Sequence, residues 1–197
     1  MAIQSSEIEL KTGLRLHYVS QGDSQGKVVI FLHGYLDSWK SFQLVLDRLG
    51  PQHQAYAIDQ RGHGDSDKPE GRYAIKDFSG DVIAFMDALG IERASLVGHS
   101  MGSFIARQVA LSAPDRVERL VLIGTAPTCA GNPVLVELEE LIPTLTEPLD
   151  PQFVYDFQVD SFHGPANQEF MATVVAETLK APLRVWRDAL AGLMACD

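Results

Sequence analysis

Ser100 stands between two glycines in Gly98-His99-Ser100-Met101-Gly102, directly after the apolar run at residues 94–97 and directly before the helical spacing Phe104, Ile105, Gln108, Val109, Leu111. A serine so placed sits at a strand-to-helix elbow, with its Oγ presented as a nucleophile. The turn strains the serine backbone, and the flanking glycines are needed because a larger side chain would collide with the adjoining strand and helix. The N-terminus of the following helix favours negative charge developing there. Competing chemistries lack their motifs. Neither G-x-G-x-x-G nor the P-loop pattern is present, so the glycines do not read as a phosphate cradle. His33, Asp59 and His63 do not have metal-ligand spacing. No cofactor and no metal are expected.

The elements that position Ser100 follow from hydrophobic patterning. Residues 7–10 and 14–19 read as a hairpin around Lys11-Thr12-Gly13, followed by a polar loop at 21–26. Continuous apolar runs at 28–32, 55–58, 94–97 and 120–123 read as strands covered on both faces, which points to a parallel sheet core. Between them lie helical spacings: Trp39, Phe42, Leu46, Leu49, then Ile75, Phe78, Val82, Phe85, Leu89 ending at Gly90, then the elbow helix stopped by Pro114. This alternation predicts an α/β fold. After Thr125-Ala126-Pro127 no strand run remains, and prolines punctuate four helical segments. Asp150-Pro151 and Asn167 are start signals, and Leu183, Trp186, Leu190 and Leu193 recur at helical spacing in the last segment.

Three motifs in order resemble the α/β-hydrolase superfamily, in its carboxylesterase-like branch with a helical cap. Phe31-Leu32-His33-Gly34-Tyr35 is similar to the oxyanion loop, Asp59-Gln60-Arg61-Gly62-His63-Gly64-Asp65-Ser66 to the loop after the fourth strand, and Gly98 to Gly102 to the nucleophile elbow. The resemblance implies a mostly parallel sheet holding the family's first six strands over an α/β core at residues 1–127, with a helical cap or lid at 128–197. It also implies that Ser100 is the nucleophile and that the backbone N–H groups of Tyr35 and Met101 hold the oxyanion. The family's triad acid and histidine lie on strands after the cap, and no counterpart follows Ser100 here. The sequence therefore reads as C-terminally truncated, lacking the last two strands. His33 and His63 are expected to order loops, His99 to brace the elbow, and His163 is the one cap histidine able to swing towards the site.

Two functions follow as expectations. One is a serine hydrolase of small ester-like or related acyl substrates working through a Ser100 acyl-enzyme, its activity weakened by the missing triad members. The other is a non-catalytic hydrolase fragment acting as a binding or assembly module. A serine at the elbow disfavours the epoxide hydrolase and haloalkane dehalogenase branches, where the resemblance calls for aspartate. The formal charge of −10, with no Lys/Arg cluster, argues against a nucleic-acid partner. Mean hydropathy near zero and the lack of a long apolar run argue against a membrane span. Cys129 and Cys196 make no disulfide framework, and Met1-Ala2-Ile3-Gln4 does not open a signal peptide, so a reducing cytoplasm is expected. The strand at 120–123, without outer neighbours, is expected to drive homo-oligomer formation by edge pairing or exchange of cap helices.

Overall fold

The computed structural model describes residues 2–161, 164 and 167–196. Its centre is a six-stranded sheet of β1 (Gln4–Glu9), β2 (Arg15–Gly22), β3 (Lys27–Leu32), β4 (His53–Ile58), β5 (Ala94–His99) and β6 (Val117–Ile123), in the spatial order β1-β2-β4-β3-β5-β6. The pairs β1/β2 and β2/β4 are antiparallel, while β4/β3, β3/β5 and β5/β6 are parallel. Successive residues of β3 face opposite sides of the sheet, as strand geometry requires. Ile30 and Leu32 join one apolar cluster with Phe78, Phe85 and Phe104, and Val29 and Phe31 join a second with Trp39, Phe42 and Leu46. A strand buried on both faces reads as an unbroken apolar run for this reason.

Helix α1 (Gln43–Leu46) precedes β4, α2 (Ile75–Ala88) crosses from β4 to β5, and α3 (Met101–Ser112) crosses from β5 to β6. Four helices follow: α4 (Pro133–Leu141), α5 (Pro151–Val159), α6 (Gln168–Thr178) and α7 (Leu183–Met194). Their starts are chemically marked. Asn132, Asp150 and Asn167 each accept backbone N–H groups of the first turn, and proline occupies the first helical position of α4 and α5. On α7, Val185, Trp186, Ala189, Leu190 and Leu193 are buried in the same cluster as α2 and α3. The last helix thus shares the core of the sheet domain.

Four sequence expectations are corrected. β2 runs on through Gln21 and Gly22 because both pair with β4, and Gly22 (φ 117°) lies where a Cβ would meet the His53 carbonyl oxygen at 1.9 Å. Leu10 and Leu14 fall outside the strands, closing a tight turn through the Leu10 N–H to Leu14 carbonyl bond of 2.8 Å. The Trp39 to Leu49 spacing yields a 3-10 turn at Trp39–Phe42 and the single turn of α1, since Trp39 is held by a 2.8 Å bond from its N–H to Asp59. The run at 120–123 is the outer strand of the sheet, with Val121 48% and Ile123 46% exposed, and not a strand covered on both faces.

Candidate active site

β5 ends at His99 and α3 begins at Met101, which leaves Ser100 alone in the turn at φ 51°, ψ −121°. For a non-glycine residue this is a strained backbone, costing about 1–3 kcal/mol and persisting only where the surroundings over-determine it. They do so here. The Ser100 N–H donates to the Ile123 carbonyl at 2.9 Å, and the Ser100 carbonyl accepts from the Ser103 N–H at 2.8 Å and the Ser103 hydroxyl at 2.6 Å. The two glycines let helix and strand close on the turn. A Cβ on Gly98 would lie 2.2 Å from the Gly102 carbonyl oxygen, and one on Gly102 only 2.0 Å from that of Leu32.

The loop after β3 faces this elbow. A Cβ on Gly34 would stand 3.3 Å from both the Ser100 Cβ and His99 Nδ1, so Gly34 and the serine are in near contact. The N–H of Met101, the first helical residue, has no partner within its own helix. That of Tyr35 has no backbone acceptor among the described residues. The Tyr35 phenol donates to the Trp186 carbonyl at 2.6 Å, and burial holds its pKa well above the usual tyrosine value. Leu36 follows in the left-handed region at φ 57°.

The histidines divide by environment. His33 is fully buried, with Nδ1 on the Gly34 carbonyl at 2.8 Å and Nε2 accepting the Gln60 N–H at 3.0 Å, so both nitrogens are spent on loop architecture. His63 is buried with Nδ1 on the Arg61 carbonyl and Nε2 unpartnered among the described residues; burial, then the neighbouring His33, lowers its pKa to about 3. His99 is half-buried beside the nucleophile, in the wall of a cavity. His163 lies outside the described residues. Among those described, none hydrogen-bonds the Ser100 hydroxyl.

That cavity, of about 330 Å³, opens beside the elbow between the core and helices α5 and α6. Its apolar wall is Phe42, Val45, Ile123, Phe170 and Val174, and its polar groups are Asp37, Ser41, His99, Gln158 and Ser161. Burial pushes the Asp37 carboxyl up, against the opposing pulls of His33, the Ser41 hydroxyl, the Ser38 N–H and His99. Sequence reasoning missed Asp37, Ser41, Gln158 and Ser161, because no local pattern reports which helix of a distant segment roofs the elbow. A small cavity with an apolar wall and a few convergent polar groups suits a small organic substrate.

Beneath the site a buried network braces the loop after β4. His17 Nδ1 meets Asp59 Oδ2 at 2.8 Å, and Asp59 also accepts the N–H groups of Trp39 and Asp65. Burial alone would raise the Asp59 pKa; the His17 bond, His33 and those two N–H groups bring it below the usual value. The ligand atoms of His17, Asp59 and Asp65 lie within 4.8 Å of one another, but His17 and Asp59 already bond each other and the Lys180 ammonium sits 2.8 Å from Asp65. The arrangement is that of a structural ion-pair network.

Residues 27–182 match the family model of the alpha/beta hydrolase fold. Epoxide hydrolase 3 of Siraitia grosvenorii is 33% identical over 186 residues, covering 91% of this chain and 55% of that protein. Epoxide hydrolase B of Mycobacterium tuberculosis is 38% identical over 128 residues, 62% of this chain and 35% of that protein. Among solved structures, an esterase from Exiguobacterium antarcticum superimposes with a TM-score of 0.86 at 22% identity, covering 98% of this chain and 75% of that one. The chain spans between about a third and just over half of the length of these two curated relatives.

Proposed function

Starting from a chain that belongs to the alpha/beta hydrolase fold family, we propose that it is a serine hydrolase of small ester or related acyl substrates, acting through a Ser100 acyl-enzyme. The observation that carries the reading is the strained, over-determined backbone of Ser100 between β5 and α3. In the proposed reaction the substrate lies in the cavity beside His99 and Ile123, and Ser100 Oγ attacks its carbonyl carbon. The N–H groups of Met101 and Tyr35 hold the oxygen that becomes negative, and preorganised donors of this kind are worth more in a water-poor site than in solution. The alcohol leaves, and water cleaves the acyl ester.

The curated relatives are named epoxide hydrolases, and chemistry separates that reaction from this one. Attack of a serine hydroxyl on an epoxide carbon would give an alkyl ether, which has no carbonyl for water to attack and would end turnover after one cycle. An acyl ester on serine is cleavable, so the residue at the elbow favours acyl substrates. A serine hydroxyl is a weak nucleophile unless a base takes its proton, and no described group bonds Ser100 Oγ, which keeps the binding-module reading in play.

Labelling with a fluorophosphonate probe, read by peptide mass spectrometry, tests the proposal. The expected outcome is a single adduct on Ser100, absent from Ser100→Ala, with slow turnover of short activated esters. A folded protein that takes no label, while still binding small acyl ligands in its cavity, would instead favour the binding module.

A further inference from the structure

Leu36, next to the proposed oxyanion donor Tyr35, holds a left-handed backbone at φ 57° that a leucine rarely adopts. Its carbonyl is gripped from a distant part of the chain: the Thr178 hydroxyl, on the last residue of α6, lies 2.8 Å from the Leu36 oxygen. Thr178 in turn accepts the side-chain amide of Gln158 on α5 at 2.7 Å. All three residues are buried, Leu36 and Thr178 completely. The hydroxyl has one proton and two candidate acceptors, Leu36 at 2.8 Å and the Val174 carbonyl of its own helix at 3.0 Å. Leu36 is the nearer acceptor, and a proton directed to it leaves the bare oxygen–oxygen contact at the longer of the two separations. The amide of Gln158 polarises the same hydroxyl and strengthens the bond it donates. A second anchor holds the neighbouring residue, where the Tyr35 phenol donates to the Trp186 carbonyl on α7.

We infer that Thr178, oriented by Gln158, is a positioning residue for the proposed hydrolase: its hydroxyl clamps the strained Leu36 carbonyl and so aims the Tyr35 N–H at the oxyanion. The inference rests on the hydrolase reading for its catalytic meaning, though the clamp itself is a property of the loop. Gln158 and Val174 also line the cavity beside the elbow. A substrate that packs against α5 and α6 therefore touches the same helices that hold the donor in place, which ties occupancy of the cavity to the geometry of the oxyanion site.

The test compares wild type with Thr178→Val, which keeps the shape and removes the hydroxyl, and Thr178→Ser, which restores it. Two measurements are made on each: the saturation kinetics of fluorophosphonate labelling at Ser100, and backbone order parameters at Tyr35 and Leu36 by nuclear magnetic resonance. Misplacing a transition-state donor slows reaction strongly. The expected result for Thr178→Val is a maximal labelling rate about tenfold lower with unchanged half-saturation. Order parameters should fall below about 0.6 at the two loop residues, and Thr178→Ser should restore both readouts to within about twofold of wild type. Wild-type labelling and wild-type order in Thr178→Val would overturn the inference, as would a defect that serine fails to rescue. If wild-type protein takes no label at all, the hydrolase reading falls while the order parameters still decide the clamp. Should Thr178→Val fail to fold, Gln158→Met keeps the hydroxyl but removes the donor that orients it. Unchanged loop order in that variant overturns the inference, and loosened order at Tyr35 and Leu36 supports it.

Discussion

The histidines show how one residue type takes different tasks according to burial and partners. His63 is a base kept neutral by its surroundings, its pKa depressed from 6.5 to about 3 by burial and then by His33. The unfolded chain binds that proton below pH 6.5, whereas the native chain resists it until about pH 3. The contribution of His63 to stability is therefore intact above pH 6.5, declines as pH falls through that window and is lost below about 3. The loss is on the order of 4–5 kcal/mol. Urea unfolding at a series of pH values should show this decline in wild type and a shallower one in His63→Gln. His17 carries the opposite sign. Its bond to Asp59 raises its pKa, so the stability it lends is complete below its unfolded value and lost as pH rises through the folded one.

At the scale of elements, the elbow works because a strand and a helix approach more closely than side chains allow. Gly102, the second residue of α3, lies directly against the end of β3, where an added Cβ would lie 2.0 Å from the Leu32 carbonyl oxygen and 2.6 Å from that of His33. Those neighbours are backbone atoms of a buried strand end and cannot swing aside. Gly102→Ala should destabilise the fold by about 3 kcal/mol, visible as a lowered midpoint of chemical unfolding. Gly80→Ala, on the open side of α2 where nothing lies within 4 Å, is the control expected to be neutral or mildly stabilising. A result in which both substitutions behave alike would contradict the close-approach argument.

For the whole molecule, the outer edge of β6 is the surface with the clearest physical consequence. Leu120, Val121 and Ile123 are 37%, 48% and 46% exposed on the strand that ends the sheet, and an apolar unpaired edge is a template for another strand. We propose the homo-oligomer expected from the sequence: these 197 residues should self-associate at micromolar concentration through β6. The formal charge of −10 opposes that association, so added salt should strengthen it by screening. Sedimentation across a salt series checks both points. Val121→Lys should shift the protein to monomer, and a wild-type chain that stays monomeric at every salt concentration would refute edge pairing.

The features legible in the order of amino acids are local in their causes. The apolar runs of β3, β4 and β5 announced strands buried on both faces, and Gly98-His99-Ser100-Met101-Gly102 announced the elbow, because tight turns demand particular residues at particular positions. Asp150 and Asn167 marked helix starts for the same reason, since capping is a matter of a few adjacent atoms. The remaining features arose from contacts between distant parts of the chain. Strand pairing carried β2 two residues into what composition marked as a loop, and the 2.8 Å bond from Trp39 to Asp59 cut a helical spacing short. The roof of the cavity and the clamp on Leu36 join residues more than a hundred positions apart in the chain. Those contacts depend on how α5, α6 and α7 settle over the elbow, and helix spacing records which face of a helix is buried without recording what that face will meet.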